Sequence, residues 1–181
     1  NIDSGTFSLT VGVDLTLLEM GEGTDLVYVD VSNESGNQEP IGIRKSKVDL
    51  GAGDDILDVS SGGYGIEFST LNGGNGQDLI YLQTARDAIT NTKLQTEDGN
   101  DTVTLNVSGS NNSDLVSSTV DLGTGDDLLE LRFAVNSTVD GGAGTDTLRL
   151  RDSQSSYTVV QKSDGSSLIT RNDNALFSLT V

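Results

Sequence analysis

The sequence lacks several residue types on which common protein chemistries depend. Its 181 residues contain no cysteine, which excludes disulfides, thiol nucleophiles and iron–sulfur clusters. They contain no histidine, which removes the usual general base and the commonest zinc ligand. No apolar run approaches the roughly 18 residues that a membrane-spanning helix needs. We therefore expect neither catalysis by these groups nor a transmembrane segment.

Positive charge is also scarce, with 10 Lys and Arg against 28 Asp and Glu, a formal net charge of −18. This balance disfavours a nucleic acid or an anionic membrane as the partner. The acids are 21 Asp and 7 Glu. A merely solvated acidic surface would use Glu at least as freely, whereas Asp is typical of turns and of sites for hard cations. Halophilic acidity, with no specific ion, is the alternative reading of the charge.

Proline occurs once, whereas glycine occurs 22 times. An acidic chain rich in Gly, Ser and Thr can be disordered, but disordered chains are usually rich in Pro and poor in aliphatic residues. Here Leu, Val and Ile recur regularly, and the length suits one domain. The chain begins at Asn1 with no initiator Met or signal-peptide pattern, so we expect a processed form or part of a longer protein.

One six-residue pattern recurs six times, with Gly always fourth and Asp always sixth. The intervals between the successive motif aspartates are 30, 23, 23, 26 and 19. Repeats at such periods indicate stacked structural units. The copies are MGEGTD (20–25), LGAGDD (50–55), GGNGQD (73–78), TEDGND (96–101), LGTGDD (122–127) and GGAGTD (141–146).

The residues around each copy alternate with a period of two, which is typical of short strands with one buried face. Apolar residues lie two and four places after each Asp: Val27, Leu57, Ile80, Val103, Leu129 and Leu148, then Val29, Val59, Leu82, Leu105, Leu131 and Leu150. Apolar residues also lie two places before each copy: Leu18, Val48, Leu71, Leu94, Val120 and Val139. Small hydroxyl residues lie four places before it: Thr16, Ser46, Ser69, Thr92, Ser118 and Ser137.

Each unit therefore reads as a strand, a Gly-Asp turn, a second strand and a linker of variable length. One unit cannot bury its apolar face, so the pattern predicts an all-β fold in which about six rungs stack into a parallel β-roll or β-solenoid over residues 1–150. Linkers such as 30–42, 60–66, 83–90 and 106–115 would form the edge opposite the turns. A β-sandwich with Gly-rich hairpins is the alternative, but it would not keep Gly and Asp fixed in six copies.

The last part of the chain, residues 151–181, departs from the repeat. Residues 157–170 carry a β-hairpin signal, with a polar turn around Asp164-Gly165. We expect a β-rich cap on the rod, or the start of a further module. Phe7-Ser-Leu-Thr-Val11 recurs as Phe177-Ser-Leu-Thr-Val181, which suggests one module of a tandem array.

The turns also suggest a cation site. A fixed Gly followed two residues later by Asp brings a carboxylate near turn carbonyls, and such an oxygen cage suits Ca²⁺ rather than zinc or copper. Stacked Asp side chains about 5 Å apart would repel one another by roughly 3 kcal/mol per pair at an effective dielectric constant of ~20. A divalent ion between rungs would reverse that repulsion. An Asx-type turn without metal is the alternative.

These turns resemble the haemolysin-type calcium-binding repeat, or RTX nonapeptide, with the pattern G-G-x-G-x-D-x-U-x. The resemblance implies a parallel β-roll with Ca²⁺ held between adjacent turns by carboxylates and backbone carbonyls. It implies carboxylate ligands at Asp25, Asp55, Asp78, Asp101, Asp127 and Asp146. It implies carbonyl ligands at Gly51, Gly53, Gly74, Gly76, Gly123, Gly125, Gly142 and Gly144, with Asp54 and Asp126 adding charge or coordination.

This sequence departs from the family pattern in two ways. The first Gly of the motif is present only at Gly73 and Gly141, and the fourth copy has Glu97 in place of the second Gly. The motifs recur at intervals of 19 to 30, rather than of nine, which would place calcium along one edge only, with up to about five ions in the gaps between six turns. The first turn, which has the longest interval to its neighbour, is expected to be less regular.

The resemblance implies a calcium-binding structural module of a secreted bacterial protein of a cell surface, matrix or filament, which folds on extracellular Ca²⁺. Its partners would be calcium ions and copies of itself in an array, with no nucleic acid. A non-catalytic module of a secreted enzyme and a virion fibre component are the alternatives. A pectate-lyase-like enzyme is disfavoured because the basic residues are scattered. Tyr28, Phe68, Tyr81 and Phe133 could instead face a carbohydrate or pack between rungs.

Overall fold

The chain coils into three β-sheets that lie side by side along a solenoid of about six turns. The computed structural model describes residues 5–9, 13–14, 17–31, 39–110, 112–162, 165, 167–172 and 174–180. Each coil adds one strand to each sheet: one before the Gly-Asp turn, one directly after it, and one in the linker. We name these the pre-turn, post-turn and linker sheets.

The pre-turn sheet contains β3 (Leu17–Glu22), β6 (Lys47–Ala52), β9 (Thr70–Asn75), β12 (Lys93–Asp98), β15 (Thr119–Asp121) and β18 (Ser137–Asp140). The post-turn sheet contains β1 (Thr6–Leu9), β4 (Leu26–Val31), β7 (Ile56–Ser61), β10 (Leu79–Thr84), β13 (Thr102–Val107), β16 (Leu128–Leu131) and β19 (Thr147–Leu150). The linker sheet contains β2 (Val13–Asp14), β5 (Ile41–Arg44), β8 (Tyr64–Glu67), β11 (Ile89–Thr90), β14 (Leu115–Val116) and β17 (Ala134–Val135).

Neighbouring coils pair in parallel, and equivalent positions of the repeat lie opposite each other. In the post-turn sheet Leu57 pairs with Val27 on one side and with Ile80 on the other. The pre-turn sheet keeps the same register, with Val48 opposite Leu71. A shift of one residue would turn every buried side chain outward, so the period-two pattern fixes this register.

The apolar ladders predicted from the sequence form the core. The two ladders after the turns are at most 1% exposed in the first five coils, and their last members, Leu148 and Leu150, are half-buried. The ladder before the turns is buried from Val48 to Val139, whereas Leu18 is half-buried. The predicted period-two strands are therefore confirmed.

The predicted hydroxyl ladder is also buried, at the corner where the linker sheet meets the pre-turn sheet. Ser69 Oγ donates to the carbonyl oxygen of Glu67 at 2.8 Å and accepts the backbone N–H of Ser46 at 3.1 Å. Thr16 lies outside the described residues. The residue before each described hydroxyl is left-handed, with φ of +47° to +50°: Lys45, Phe68, Asn91, Ser117 and Asn136. The corner therefore relies on a hydroxyl to satisfy the backbone next to a strained residue.

The linkers do more than close the opposite edge, since each contributes a third short strand. These strands form the linker sheet, which the sequence did not predict. The variation in coil length falls between the post-turn strand and the linker strand: two residues separate β7 from β8, and seven separate β13 from β14. Three sheets, rather than two faces and a loop edge, enclose the core.

The C-terminal part forms the predicted hairpin. Strands β20 (Tyr157–Gln161) and β21 (Ser167–Arg171) are antiparallel, after a short 3-10 helix at Gln154–Ser156. A last strand, β22 (Asn174–Thr180), pairs antiparallel with β21 and parallel with β18, so the hairpin extends the pre-turn sheet. The described parts of the two Phe-Ser-Leu-Thr-Val copies thus lie in different sheets, residues 7–9 in β1 and residues 177–180 in β22. Thr10, Val11, Asp164 and Val181 lie outside the described residues.

Candidate metal centre along the turn edge

The six Gly-Asp turns stack along one edge of the rod, and glycine is what lets them stack so closely. Gly74 has φ of +105°, and a Cβ at this position would fall on the carbonyl oxygen of Gly51 in the preceding coil. Gly53 has φ of +137° and faces the carbonyl oxygen of Gly23 in the same way. The repeated glycines therefore meet a left-handed backbone and a close approach between coils at once.

The motif aspartates form a continuous ladder of hydrogen bonds. Oδ1 of each Asp accepts the backbone N–H of the equivalent residue in the preceding coil. The donor–acceptor distances are 2.7 Å from Asp25 to Asp55, 3.0 Å from Asp55 to Asp78, 2.8 Å from Asp78 to Asp101, 2.8 Å from Asp101 to Asp127 and 3.2 Å from Asp127 to Asp146. Oδ1 of Asp25 accepts the N–H of Gly5 at 2.6 Å, so the first turn makes the same kind of hydrogen bond as the others.

The second oxygen of these carboxylates is enclosed. Five of the aspartates are 1–3% exposed, and Asp146 is half-buried. Among the described residues, the buried Oδ2 atoms of Asp25, Asp55, Asp78, Asp101 and Asp127 find no hydrogen-bond partner. In the third turn Oδ2 of Asp78 lies against the Cα of Gly73, within the turn. Leaving a buried acceptor unsatisfied is costly, so this row of oxygens needs an explanation.

Burial raises the pKa of several of these carboxyls. The pKa of Asp78 rises to about 7, chiefly because the group is desolvated and also because Asp101 and Asp55 are negative, while the hydrogen bond from the N–H of Asp55 opposes the rise. Desolvation likewise raises the pKa of Asp55, Asp101 and Asp127. The ion pairs within the described part of the chain all use other acids, so no Lys or Arg there compensates this row.

Backbone carbonyls of the turns point along the rod, some toward the next coil and some toward the preceding one, as where the carbonyl oxygen of Ala52 accepts the N–H of Gly23 at 2.6 Å. The carbonyl oxygen of Gly123 accepts the N–H of Ala143 at 2.8 Å, and that of Glu97 accepts the N–H of Thr124 at 2.7 Å. The glycines predicted as carbonyl ligands all lie in the turns with positive φ: Gly51, Gly53, Gly74, Gly76, Gly123, Gly125, Gly142 and Gly144. Within the described residues no three acidic side chains converge closely enough to hold a metal ion.

Asp54 and Asp126 lie on the exposed side of the turns and form a second ladder that runs the opposite way. Oδ1 of Asp54 accepts the N–H of Gln77 in the next coil at 2.9 Å. Oδ1 of Asp126 accepts the N–H of Thr145 at 2.8 Å. Asn100 plays the same part for the N–H of Asp126, so the position before the motif Asp braces the turn whether or not it is charged.

The fourth turn keeps this geometry without the second Gly. Glu97 adopts φ of +70°, and its carbonyl oxygen faces Gly123 as a glycine carbonyl does in the other coils. A non-glycine residue in this region costs about 1–2 kcal/mol. Thr96 is fully buried and donates to the carbonyl oxygen of Leu122 at 2.6 Å, which supplies a polar anchor in this turn.

Asp114 is a buried carboxylate outside the motifs, and the sequence did not predict its role. Its side chain is fully buried, and it accepts the N–H groups of Arg132 at 2.5 Å and Phe133 at 2.7 Å. It also pairs with Arg151 over 3.2 Å. Desolvation raises its pKa, while these partners oppose the rise. No local pattern marks this residue, because most of its donors come from two later coils, although the N–H of Val107 also donates to it at 3.3 Å.

Comparison with known proteins gives no match from which a function could be inferred. No protein family model matches the chain. No curated protein matches it either. Among the described residues, no helix is long and apolar enough to cross a membrane.

Proposed function

We propose that this chain is a calcium-binding structural module, a rod whose row of turn aspartates takes up Ca²⁺. One observation carries the proposal: five buried carboxylate oxygens, with no hydrogen-bond partner in the part of the chain that the structure describes, follow one another along one edge. No basic residue in the described part pairs with them. At a spacing of about 5 Å each neighbouring pair of charges repels by roughly 3 kcal/mol at an effective dielectric constant of ~20. A row of this kind requires cations or protons.

The donors available in the turns suit a hard divalent cation. They are carboxylate and backbone carbonyl oxygens, the ligands that Ca²⁺ prefers, and no nitrogen or sulfur side chain lies among the predicted ligands. Binding to the folded row and not to the unfolded chain would stabilise the fold by linkage. The chain would then remain expanded in the low calcium of a cytosol and fold in millimolar extracellular calcium.

The setting that fits such a module is outside the cell. The resemblance to the RTX repeat implies a secreted bacterial protein of a surface, matrix or filament, with calcium and further copies as partners, and no catalytic role of its own. A non-catalytic module of a secreted enzyme and a virion fibre component are the alternative settings. A solenoid whose stability depends on the ion would serve each of these as a spacer.

A metal-free rod is the second candidate, and the hydrogen-bond ladder favours it. Each Oδ1 in the row already accepts an N–H from the preceding coil, and the pKa of Asp78 lies at about 7. Protons shared along the row would then neutralise it without a cation. The turns would act as a purely structural Asp ladder.

Thermal melting followed by circular dichroism separates the two candidates. The wild-type chain is compared at pH 7.5 and fixed ionic strength in EDTA, in Mg²⁺ and in Ca²⁺. The proposal expects Ca²⁺ to raise the melting temperature well beyond Mg²⁺. Equal effects of Ca²⁺, Mg²⁺ and NaCl would refute it and support halophilic acidity.

Asp78→Asn sharpens the test, because it keeps an oxygen that accepts the N–H of Asp55 but removes one charge. If calcium fills the row, Ca²⁺ raises the melting temperature of this variant less than that of the wild type. If protons fill the row, Ca²⁺ raises the melting temperature of neither protein, and the variant is the more stable of the two at pH 8. Asp49→Asn is the matched control, since Asp49 is a surface residue paired with Lys47 at 3.1 Å.

A further inference from the structure

The outer face of the post-turn sheet carries an aromatic site that the calcium proposal does not use. Tyr28, Asp58 and Tyr81 lie side by side on β4, β7 and β10, at the same register. Their neighbours along each strand point into the core and are at most 1% exposed, so these three side chains point outward. Two of the four tyrosines of the chain thus flank one carboxylate on one flat face.

The two tyrosine rings lie in the same direction along their strands. The hydroxyl of Tyr28 is 3.5 Å from Oδ2 of Asp30, and the hydroxyl of Tyr81 donates to Oε1 of Gln83 at 3.2 Å. Both partners are two residues further along the same strand, about 7 Å away. Both tyrosines are half-buried, so part of each ring is accessible to solvent. The two rings are two strands apart, at about 10 Å.

Beside the rings, side chains at the same register on neighbouring strands form polar and apolar rows. Leu26, Ile56 and Leu79 form an outward row at the start of the strands, and Leu79 is 39% exposed. Asp58 lies between the rings, with its Oδ1 enclosed and without a hydrogen-bond partner among the described residues. The surface therefore offers two aromatic faces with hydrogen-bond acceptors set between and beside them.

We infer that this face, the Tyr28–Tyr81 platform, binds an extended neutral polysaccharide. A pyranose ring has a C–H face that packs on an aromatic ring and hydroxyl groups at its edge that donate to carboxylate and amide oxygens. In an extended β-linked chain every second unit presents the same face, and the two-strand spacing of the rings matches that repeat. Oδ2 of Asp58, the oxygen that is not enclosed, would then accept from the unit between the two stacked ones.

Charge selects among the possible occupants. The net charge of the chain is −18, and the platform itself carries the negative charges of Asp30 and Asp58. These charges raise the pKa of Tyr28, so its hydroxyl stays protonated. An anionic polysaccharide or a nucleic acid would be repelled. A second copy of the chain would place Asp58 against Asp58 with no cation on the platform. A neutral glycan fits both the rings and the charge.

Affinity electrophoresis tests the inference, with native gels that contain hydroxyethyl cellulose, galactomannan or the anionic carboxymethyl cellulose, all in the same low-millimolar Ca²⁺. We expect retardation by a neutral polymer and none by carboxymethyl cellulose. Tyr28→Ala and Tyr81→Ala should each weaken binding roughly tenfold, equivalent to about 1.4 kcal/mol. Tyr64→Ala, in the linker sheet, should bind as wild type does.

Melting curves in the same buffer show whether each variant is folded, and Tyr81→Phe provides a second check because it keeps the ring and should retain most of the binding. Four results would overturn the inference: no retardation by either neutral polymer, equal retardation by carboxymethyl cellulose, binding that survives both alanine variants, or a concentration-dependent dimer that Tyr81→Ala abolishes. Because calcium is present throughout, failure of glycan binding leaves the calcium proposal to its own test.

Discussion

The backbone N–H of Asp78 donates to Oδ1 of Asp101 in the next coil over 2.8 Å, so one carboxylate serves two coils. The Asp101 side chain carries the charge of its own turn and also accepts the backbone N–H of the preceding turn. Under the calcium proposal, stability and cation binding would therefore be coupled through the same carboxylates, and substitutions can separate the two effects.

Asp101→Ala removes the acceptor for the buried N–H of Asp78 and should lower the free energy of unfolding by about 1–3 kcal/mol. Asp101→Asn retains an oxygen at that position and should cost clearly less. Urea unfolding of both variants, in EDTA and again in Ca²⁺, measures the difference. Equal losses in the two variants would contradict a role of the carboxylate as an N–H acceptor.

Without calcium, the rod should become more stable as the pH falls. The pKa of Asp78 is about 7 in the folded chain, above its ordinary value of 3.8, so the folded state binds more protons between these two pH values. Stability therefore falls as the pH rises through this window, by up to about 1.4 kcal/mol per pH unit for one such group. Urea unfolding in EDTA from pH 5 to pH 8 measures the slope, and stability that rises with pH would contradict it.

Gly74→Ala should be strongly destabilising, by about 3 kcal/mol or more, because it combines a left-handed φ with a clash against the Gly51 carbonyl. Gly165→Ala is the control: its φ is +93°, but nothing lies near the added Cβ. It should cost only about 1 kcal/mol. Similar losses in both variants would show that backbone strain alone, not stacking, requires the turn glycines.

Phe68→Asn should stabilise the rod by about 0.5–1 kcal/mol. Phe68 has φ of +50° and a side chain that is 55% exposed, while Asn91 and Asn136 occupy the same corner in other coils. Phe68→Ala loses the same ring without gaining the left-handed preference, so it should not stabilise. Thermal melting compares the two, and a loss of stability in Phe68→Asn would reveal a packing role for the ring.

Asp114→Ala should cost about 3–5 kcal/mol, because it removes the acidic partner of Arg151 and the acceptor of the N–H groups of Val107, Arg132 and Phe133. Asp87→Ala removes a single hydrogen bond, from the N–H of Ser113 at 2.6 Å, and should cost about 1 kcal/mol. Urea unfolding of both measures the contrast. A small loss in Asp114→Ala would mean that water replaces the carboxylate.

The sequence predicted the repeated part of the fold well because one physical rule acts on every coil. Val27, Leu57 and Ile80 occur at the same place after the turn, and burial of a common face determines both their spacing and their register. The row of motif aspartates followed from the same alignment. The predicted hairpin at 157–170 rested on ordinary turn chemistry and is confirmed.

Features of the fold that depend on contacts between coils could not be predicted from the local sequence. Strands β11 and β14 are two residues long, too short to show alternation, so the linker sheet stayed hidden. The left-handed corners escaped because Lys45 and Phe68 do not carry a glycine's signal. The orientation of each Asp, with Oδ1 on the preceding coil, depends on stacking distance and not on spacing along the chain.

The difference in length between linkers has a consequence for how this rod can be altered. Coils of unequal length keep the same strand register, because the extra residues lie between the post-turn and linker strands. Segment 108–110 is therefore a natural grafting point, where an inserted peptide would be displayed at the side of the rod without moving the turn row. The variable linkers are thus separate from the stacked strands and turns that stabilise the rod.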